Sequence, residues 1–170
     1  ELIAEELAGS DDVLEVAAGT GLATVPAAKA ARRVIATDYS GEMLHILREK
    51  VRRAGFANVE CIQRDIYSLG FAPCSFDAVL CANVLHLVPD LPAALAALRA
   101  VLRPNGKLLA PTFCHLETWF SLGLSRLLAI TGFPGYRRFR SASLRYELEQ
   151  AGLRVGKQGT ISGPIALCFV

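Results

Sequence analysis

A chain of 170 residues has the size of one ordinary domain, and its 52% hydrophobic and 20% charged residues exclude intrinsic disorder. Eighteen Lys and Arg against sixteen Asp and Glu leave a formal charge of +2, too even to create the field of a nucleic-acid-binding protein. Cys61, Cys74, Cys81, Cys114 and Cys168 form no close pair, so no metal site and no complete disulfide framework is expected. Free thiols in a reducing, cytoplasmic compartment fit this usage. There is no secretory signal and no apolar run of about 18 residues, so no transmembrane segment is expected. The chain opens at Glu1 and its only methionine is Met43, which implies residues ahead of Glu1 in the native protein.

Short apolar runs alternate with helical stretches. Val13 to Ala17 predicts the first strand, followed by a glycine-rich turn and an alanine-rich segment. Val34 to Thr37 predicts the second. Ser40 to Ala54 predicts a helix, because Met43, Leu44, Leu47 and Val51 recur at spacings of three and four, Ser40 can cap it and Gly55 can stop it. Val59 to Gln63 and Phe76 to Ala82 are the third and fourth strands, the fourth almost wholly apolar, as a central parallel strand should be. Asp90 caps a helix with Pro92 in its first turn, ending before the turn signal Pro104-Asn105-Gly106. Lys107 to Phe113 predicts a fifth strand. Ser141 to Ala151 is a last helix, ended by Gly152, and Leu153 to Ile161 with Ile165 to Val170 predicts a closing hairpin. The pattern is a single doubly wound α/β domain over residues 1–170, with a mostly parallel sheet and helices on both faces.

Ligands of such sheets bind beyond the carboxyl ends of the strands, at the switch point. The first strand ends in Glu15-Val16-Ala17-Ala18-Gly19-Thr20-Gly21, where Gly19 and Gly21 permit a tight turn and close backbone approach. The third glycine of a dinucleotide fingerprint falls at Thr24 and is missing. The second strand ends at Asp38, whose carboxylate can accept from ribose hydroxyls or can merely cap beside Ser40. The third ends at Asp65 and Ile66, a carboxylate and an N–H suited to an adenine edge, or simply a turn. The fourth ends at Asn83, with Val84, Leu85 and His86 behind it.

Taken in order, VLEVAAGTG, VIATDYSGEML, RDI, FDAVLCANVLHLVPD and LRPNGKLL resemble the motifs of class I S-adenosylmethionine-dependent methyltransferases over residues 11 to about 112. The resemblance implies a Rossmann-like, seven-stranded sheet with an antiparallel last strand. It implies S-adenosylmethionine as cofactor and S-adenosylhomocysteine as product. Glu15 then helps hold the methionine end of the cofactor; Gly19 and Gly21 pass beneath methionine and ribose; Asp38 binds the ribose. Tyr39 and Met43 pack near the adenine, Asp65 and Ile66 contact it, and the backbone of Asn83 lies near the amino group. Ala17 stands where the family has its first loop glycine, and Asn105 replaces a common glycine before the fifth strand. Asn83 is not followed by Pro-Pro-Tyr or Pro-Pro-Phe, which argues against methylation of DNA bases.

Transfer from a sulfonium needs orientation and a dry pocket, and a base only if the acceptor keeps its proton. His86 and His115 follow the fourth and fifth strands and are the candidate bases, each with a structural or surface alternative; His45, inside a helix, is structural or exposed. Residues 114–140 are the expected substrate-facing lid, the alternative being a helix packed on the domain. Trp119, Phe120 and Leu124 belong to its apolar helix face, and Arg137, Arg138 and Arg140 follow it. A small, apolar or lipid-like substrate is therefore expected, with no nucleic-acid partner and with peripheral membrane contact open to the arginines. Two rival readings share the glycine loop: a nicotinamide-dependent oxidoreductase, and a methyltransferase-like binding protein without turnover.

Overall fold

Five short strands pair in parallel in the computed structural model, which describes residues 2–113, 139–161 and 167–169. The chain divides into two units, Glu1–Ala82 with Ala96–Leu109, and Asn83–Leu95 with Ala110–Val170. In the first unit, β1 (Asp12–Glu15), β2 (Arg33–Asp38), β3 (Val59–Gln63), β4 (Phe76–Leu80) and β5 (Leu102–Leu109) lie in the order β3-β2-β1-β4-β5. Val13, Leu14, Val34, Ala36, Ala78, Val79 and Leu80 are all buried, which is why these strands read as continuous apolar runs. Successive strands step outward from β1 on one side and then return to β4 on the other. The switch point therefore falls between β1 and β4.

Helix α1 (Leu2–Leu7), helix α2 (Thr24–Ala30) and the residues that flank α2 bury Leu7, Ala23, Ala27 and Ala31 against Val13, Val34, Ala78 and Leu80. Helix α3 (Gly41–Arg53) packs Leu44, Leu47 and Val51 against Ala18 and Ala36. Its start is as expected: the Ser40 hydroxyl accepts from the Met43 N–H at 3.2 Å. The amino-terminal edge of the sheet is closed by Arg103, which donates to Asp77 at 2.6 Å and to Asp12 at 3.3 Å. Asp77 in turn accepts the N–H of Asp12 at 2.9 Å, and these bonds hold its carboxyl below the usual range.

Strand β5 departs from expectation at both ends. It begins at Leu102, ahead of the turn. Phe76 pairs with Leu102 but Ala78 with Lys107, so residues 103–106 bulge out, with Asn105 left-handed at φ 64°. It stops at Leu109, because Pro111 has no N–H to continue the ladder. The expected strand 107–113 is thus divided, and its remainder, β6 (Thr112–Phe113), joins a second sheet.

In the second unit that sheet has the order β6-β8-β7, with β7 (Gly159–Ile161) and β8 (Leu167–Phe169). Both of its pairings are antiparallel, as expected for the chain's end. Of the strand expected from Leu153, only the part from Gly159 pairs. The mostly parallel α/β class stands. The expected seven-stranded sheet is, among the described residues, a five-stranded and a three-stranded one. Helix α4 (Leu91–Val101) starts where Asp90 Oδ1 accepts the Ala93 N–H at 3.0 Å. Helix α5 (Ser141–Gln150) buries Leu144 and Leu148 and ends at left-handed Gly152. His115 and most of the expected lid at 114–140, with Arg137 and Arg138, lie outside the described residues. Among the described residues no helix is long and apolar enough to cross a membrane.

Candidate functional site: the glycine loop between two carboxylates

The loop after β1 is fastened to β2 and β4 along its length. Val16 N–H donates to Leu80 O at 2.9 Å, Ala18 N–H to Thr37 O at 2.9 Å, and Gly19 N–H to Asp38 Oδ2 at 2.8 Å. The Thr37 hydroxyl donates to Glu15 O at 2.9 Å. Such bonding holds three left-handed residues, Ala17 at φ 51°, Gly19 at 55° and Gly21 at 81°. A Cβ on Gly21 would come within 2.3 Å of Leu47 Cδ1 in the core, whereas one on Gly19 would meet nothing within 4 Å. Gly21 is thus needed for packing against α3, and Gly19 leaves its side of the loop open to a ligand.

Ala17 keeps the left-handed turn that a glycine would make, so the substitution strains the loop rather than reshaping it. A left-handed alanine costs about 1–2 kcal/mol relative to the right-handed form, a penalty glycine does not bear. Ala17→Gly is therefore expected to raise the unfolding free energy by about 1 kcal/mol, less the extra entropy glycine has when unfolded. A shift of the denaturant midpoint upward at constant slope would record it; a shift downward would show that the strain is absent.

Two carboxylates flank this loop. Asp38 is half-buried, and Oδ1 accepts the Ser40 N–H at 2.8 Å while Oδ2 holds Gly19. It braces the Ser40 cap of α3 and fastens the loop at once, and a carboxylate has two further lone-pair sites for ligand hydroxyls. Glu15 is buried, with 1% of its surface exposed. Burial raises its pKa to about 7, the Asp38 carboxylate adds to the rise, and the Thr24 hydroxyl opposes it. Among the described residues both Glu15 Oε2 and Thr24 Oγ1 are buried with no hydrogen-bond partner. Thr24 is absent from the sequence-based site. Its hydroxyl gives no signal there beyond occupying the place of the fingerprint's third glycine.

The adenine-side candidates are less engaged. Tyr39 is 75% and Met43 41% exposed, and Leu22, in the glycine loop, is 83% exposed. Asp38 O accepts the Arg64 N–H at 3.0 Å, which ties the end of β3 to that of β2. Asp65 forms the alternative anticipated for it, a turn: its Oδ1 accepts the Tyr67 N–H at 2.9 Å and its carbonyl the Ser68 N–H at 3.0 Å. Ile66 beside it is half-buried.

In the second unit, Asn83 is left-handed at φ 57° and donates its N–H to Pro111 O at 2.7 Å. Asn83 Oδ1 is buried without a partner among the described residues. His86 is not a surface residue; it is 1% exposed, and its Nδ1 lies 3.0 Å from Thr112 Oγ1. Thr112, fully buried, is a second residue that sequence reasoning missed.

Residues 13–106 match the family model for a methyltransferase domain. The chain belongs to the class I S-adenosylmethionine-dependent methyltransferases. This assignment sets aside the nicotinamide-dependent alternative. The chain is 40% identical over 103 residues to a demethylmenaquinone methyltransferase of Renibacterium salmoninarum, covering 61% of this chain and 41% of that protein. It is 32% identical over 158 residues to a ubiquinone biosynthesis O-methyltransferase of Xanthomonas euvesicatoria pv. vesicatoria, covering 88% of this chain and 65% of that one. The fold matches a solved S-adenosylmethionine-dependent methyltransferase from Aquifex aeolicus with a TM-score of 0.79 at 22% identity, over 99% of this chain and 86% of the other. The chain thus spans less than two thirds of the curated relatives it matches.

The methyltransferase cradle fits the family's cofactor on this structure's own features. Gly19 offers open space, Asp38 has acceptor capacity to spare, and Glu15 and Thr24 present buried polar atoms that nothing among the described residues satisfies.

Proposed function

We propose that the protein transfers a methyl group from S-adenosylmethionine to a small, lipid-like acceptor of the quinol type. The observation that carries the reading is the left-handed loop 17–21 held open between Asp38 and Glu15 at the switch point of a parallel sheet. When bound, the cofactor supplies an activated methyl group on a sulfonium. The chain's own part is to bind and orient. Asp38 accepts ribose hydroxyls, the Gly19 backbone lets the ligand lie close, and Glu15 faces the charged methionine end. Tyr39 and Met43 are large apolar surfaces left exposed where a flat base can cover them. Support for a quinol acceptor comes from the names of the two relatives above, one a demethylmenaquinone methyltransferase and the other a ubiquinone biosynthesis O-methyltransferase. His86, kept in place by the Thr112 hydroxyl, is the candidate base among the described residues for an acceptor that holds its proton.

The test is transfer of isotopically labelled methyl from S-adenosylmethionine by the full-length protein. The acceptors are short-chain prenylated naphthoquinols and benzoquinols, alongside polar catechols and amines. Label in the prenylated quinols is the expected result. Label confined to the polar acceptors would overturn the substrate class, and saturable cofactor binding with no transfer to any acceptor would favour a binding protein without turnover.

A further inference from the structure

Glu15 Oε2 and Thr24 Oγ1 are two buried polar atoms with no hydrogen-bond partner among the described residues, in the interior of one small unit. An ionised carboxylate in that position would be costly without a cation beside it. None of the described cations acts on it. Its surroundings are the Ala36 and Leu80 positions opposite it on β2 and β4, Thr24 on α2, and the Asp38 carboxylate at the end of β2. Cys61, in register with Ala36 on β3, is half-buried, and burial raises its thiol pKa. Helix α3 contributes Leu44 and Leu47 to the adjoining cluster, with His45 exposed.

We propose that Glu15 and Thr24 form a proton-exchanging cation subsite: the ligand-free protein holds a proton on Glu15, and a ligand bringing a positive charge into the loop displaces that proton to solvent. The O–H bond of the carboxyl breaks, the proton passes to buffer, and the carboxylate left behind is neutralised by the incoming ammonium or sulfonium. This deepens the cofactor reading above and rests on it. Ligand affinity becomes linked to pH. Below about pH 7 the proton must be removed against its own affinity, so binding of a cationic ligand weakens about tenfold for each pH unit lost. Above pH 7 the affinity levels off. The site then distinguishes the sulfonium-bearing cofactor, with two positive charges, from its thioether product, with one, and the distinction fades as Glu15 regains its proton in acid.

Calorimetric titration of the full-length protein in two buffers of different ionisation enthalpy, from pH 5.5 to 8, tests this. The probes are S-adenosylmethionine, S-adenosylhomocysteine and adenosine, which lacks the charged end. Release of about half a proton per S-adenosylhomocysteine is expected at pH 7, with none for adenosine, because a group half-protonated when free is ionised when bound. Glu15→Gln should abolish both the release and the pH dependence. Thr24→Val should keep the release but move its midpoint upward, since the hydroxyl that favours ionisation is gone; a purely structural threonine would leave the midpoint unmoved. S-adenosylhomocysteine binding with no buffer dependence and a flat pH profile overturns the subsite while leaving the cofactor reading intact. Binding of none of the three probes overturns both.

Discussion

Glu15→Gln is expected to stabilise the ligand-free protein by about 3 kcal/mol at pH 8 and by almost nothing at pH 4. The sign follows from the direction of the shift. The Glu15 carboxyl ionises near 4.5 in the unfolded chain but only near 7 in the folded one. Below 4.5 both states carry the proton and nothing is lost. Between 4.5 and 7 the unfolded chain gives up its proton while the folded one keeps it, so stability falls as pH rises, and above 7 the full penalty of a buried carboxylate is present. Glutamine has the shape of the protonated acid and never carries the penalty. For a chain of this size the gain is a rise of about 6–12 °C in Tm at pH 8. Scanning calorimetry of both forms at pH 4, 6 and 8 measures it. Equal melting temperatures at all three values would mean that Glu15 is ionised and satisfied in the empty protein, and the argument from its burial would fall. The same variant is expected to bind S-adenosylhomocysteine more weakly at pH 8. The site therefore carries, when empty, a cost that its ligand offsets.

Local signals in the sequence carried most of the first unit. The strand Val59–Gln63 and the helix behind the Ser40 cap are where periodicity and capping residues place them. Nearest-neighbour chemistry decides such elements, and the chain states it locally. The glycine loop and Asp38 can be nominated from the sequence because strand ends in a parallel sheet are where ligands bind, and Glu15 through the family resemblance. What could not be read depends on tertiary surroundings. Helix α1 has only six residues, too few for helical periodicity to declare it. Pro111 divides an apolar run that otherwise reads as one strand, because the lost N–H matters only once the partner strand is in place. Thr24 and Thr112 look like ordinary β-branched residues. It is burial beside Glu15 and contact with His86 that give their hydroxyls meaning. Asp65 shows the opposite case: the alternative reading, a turn, is what its hydrogen bonds make of it.

Asp38→Ala is expected to weaken S-adenosylhomocysteine binding by at least about 100-fold, and to destabilise the fold by about 1–3 kcal/mol. The two losses share one origin. Asp38 holds the N–H of Gly19 with one oxygen and the N–H of Ser40 with the other, both at 2.8 Å. Removing the carboxylate frees the loop from the start of α3 at the point where Ala17 and Gly19 already sit in left-handed conformations. The ligand then loses its ribose acceptors and meets a loop that must be ordered on binding, a cost the wild type has met in folding. Asp38→Asn separates this from a simple charge effect. Its single carbonyl oxygen can accept only one of the two N–H groups, and its amide nitrogen would face the other as donor against donor. Asparagine should therefore behave nearly as badly as alanine, despite its matching size. If the ribose contact alone mattered, asparagine would keep one acceptor and most of the affinity. Calorimetric Kd values for the two variants, with urea unfolding of each, decide between these outcomes. An asparagine variant within about tenfold of wild-type affinity would show that Asp38 serves the ligand and not the loop.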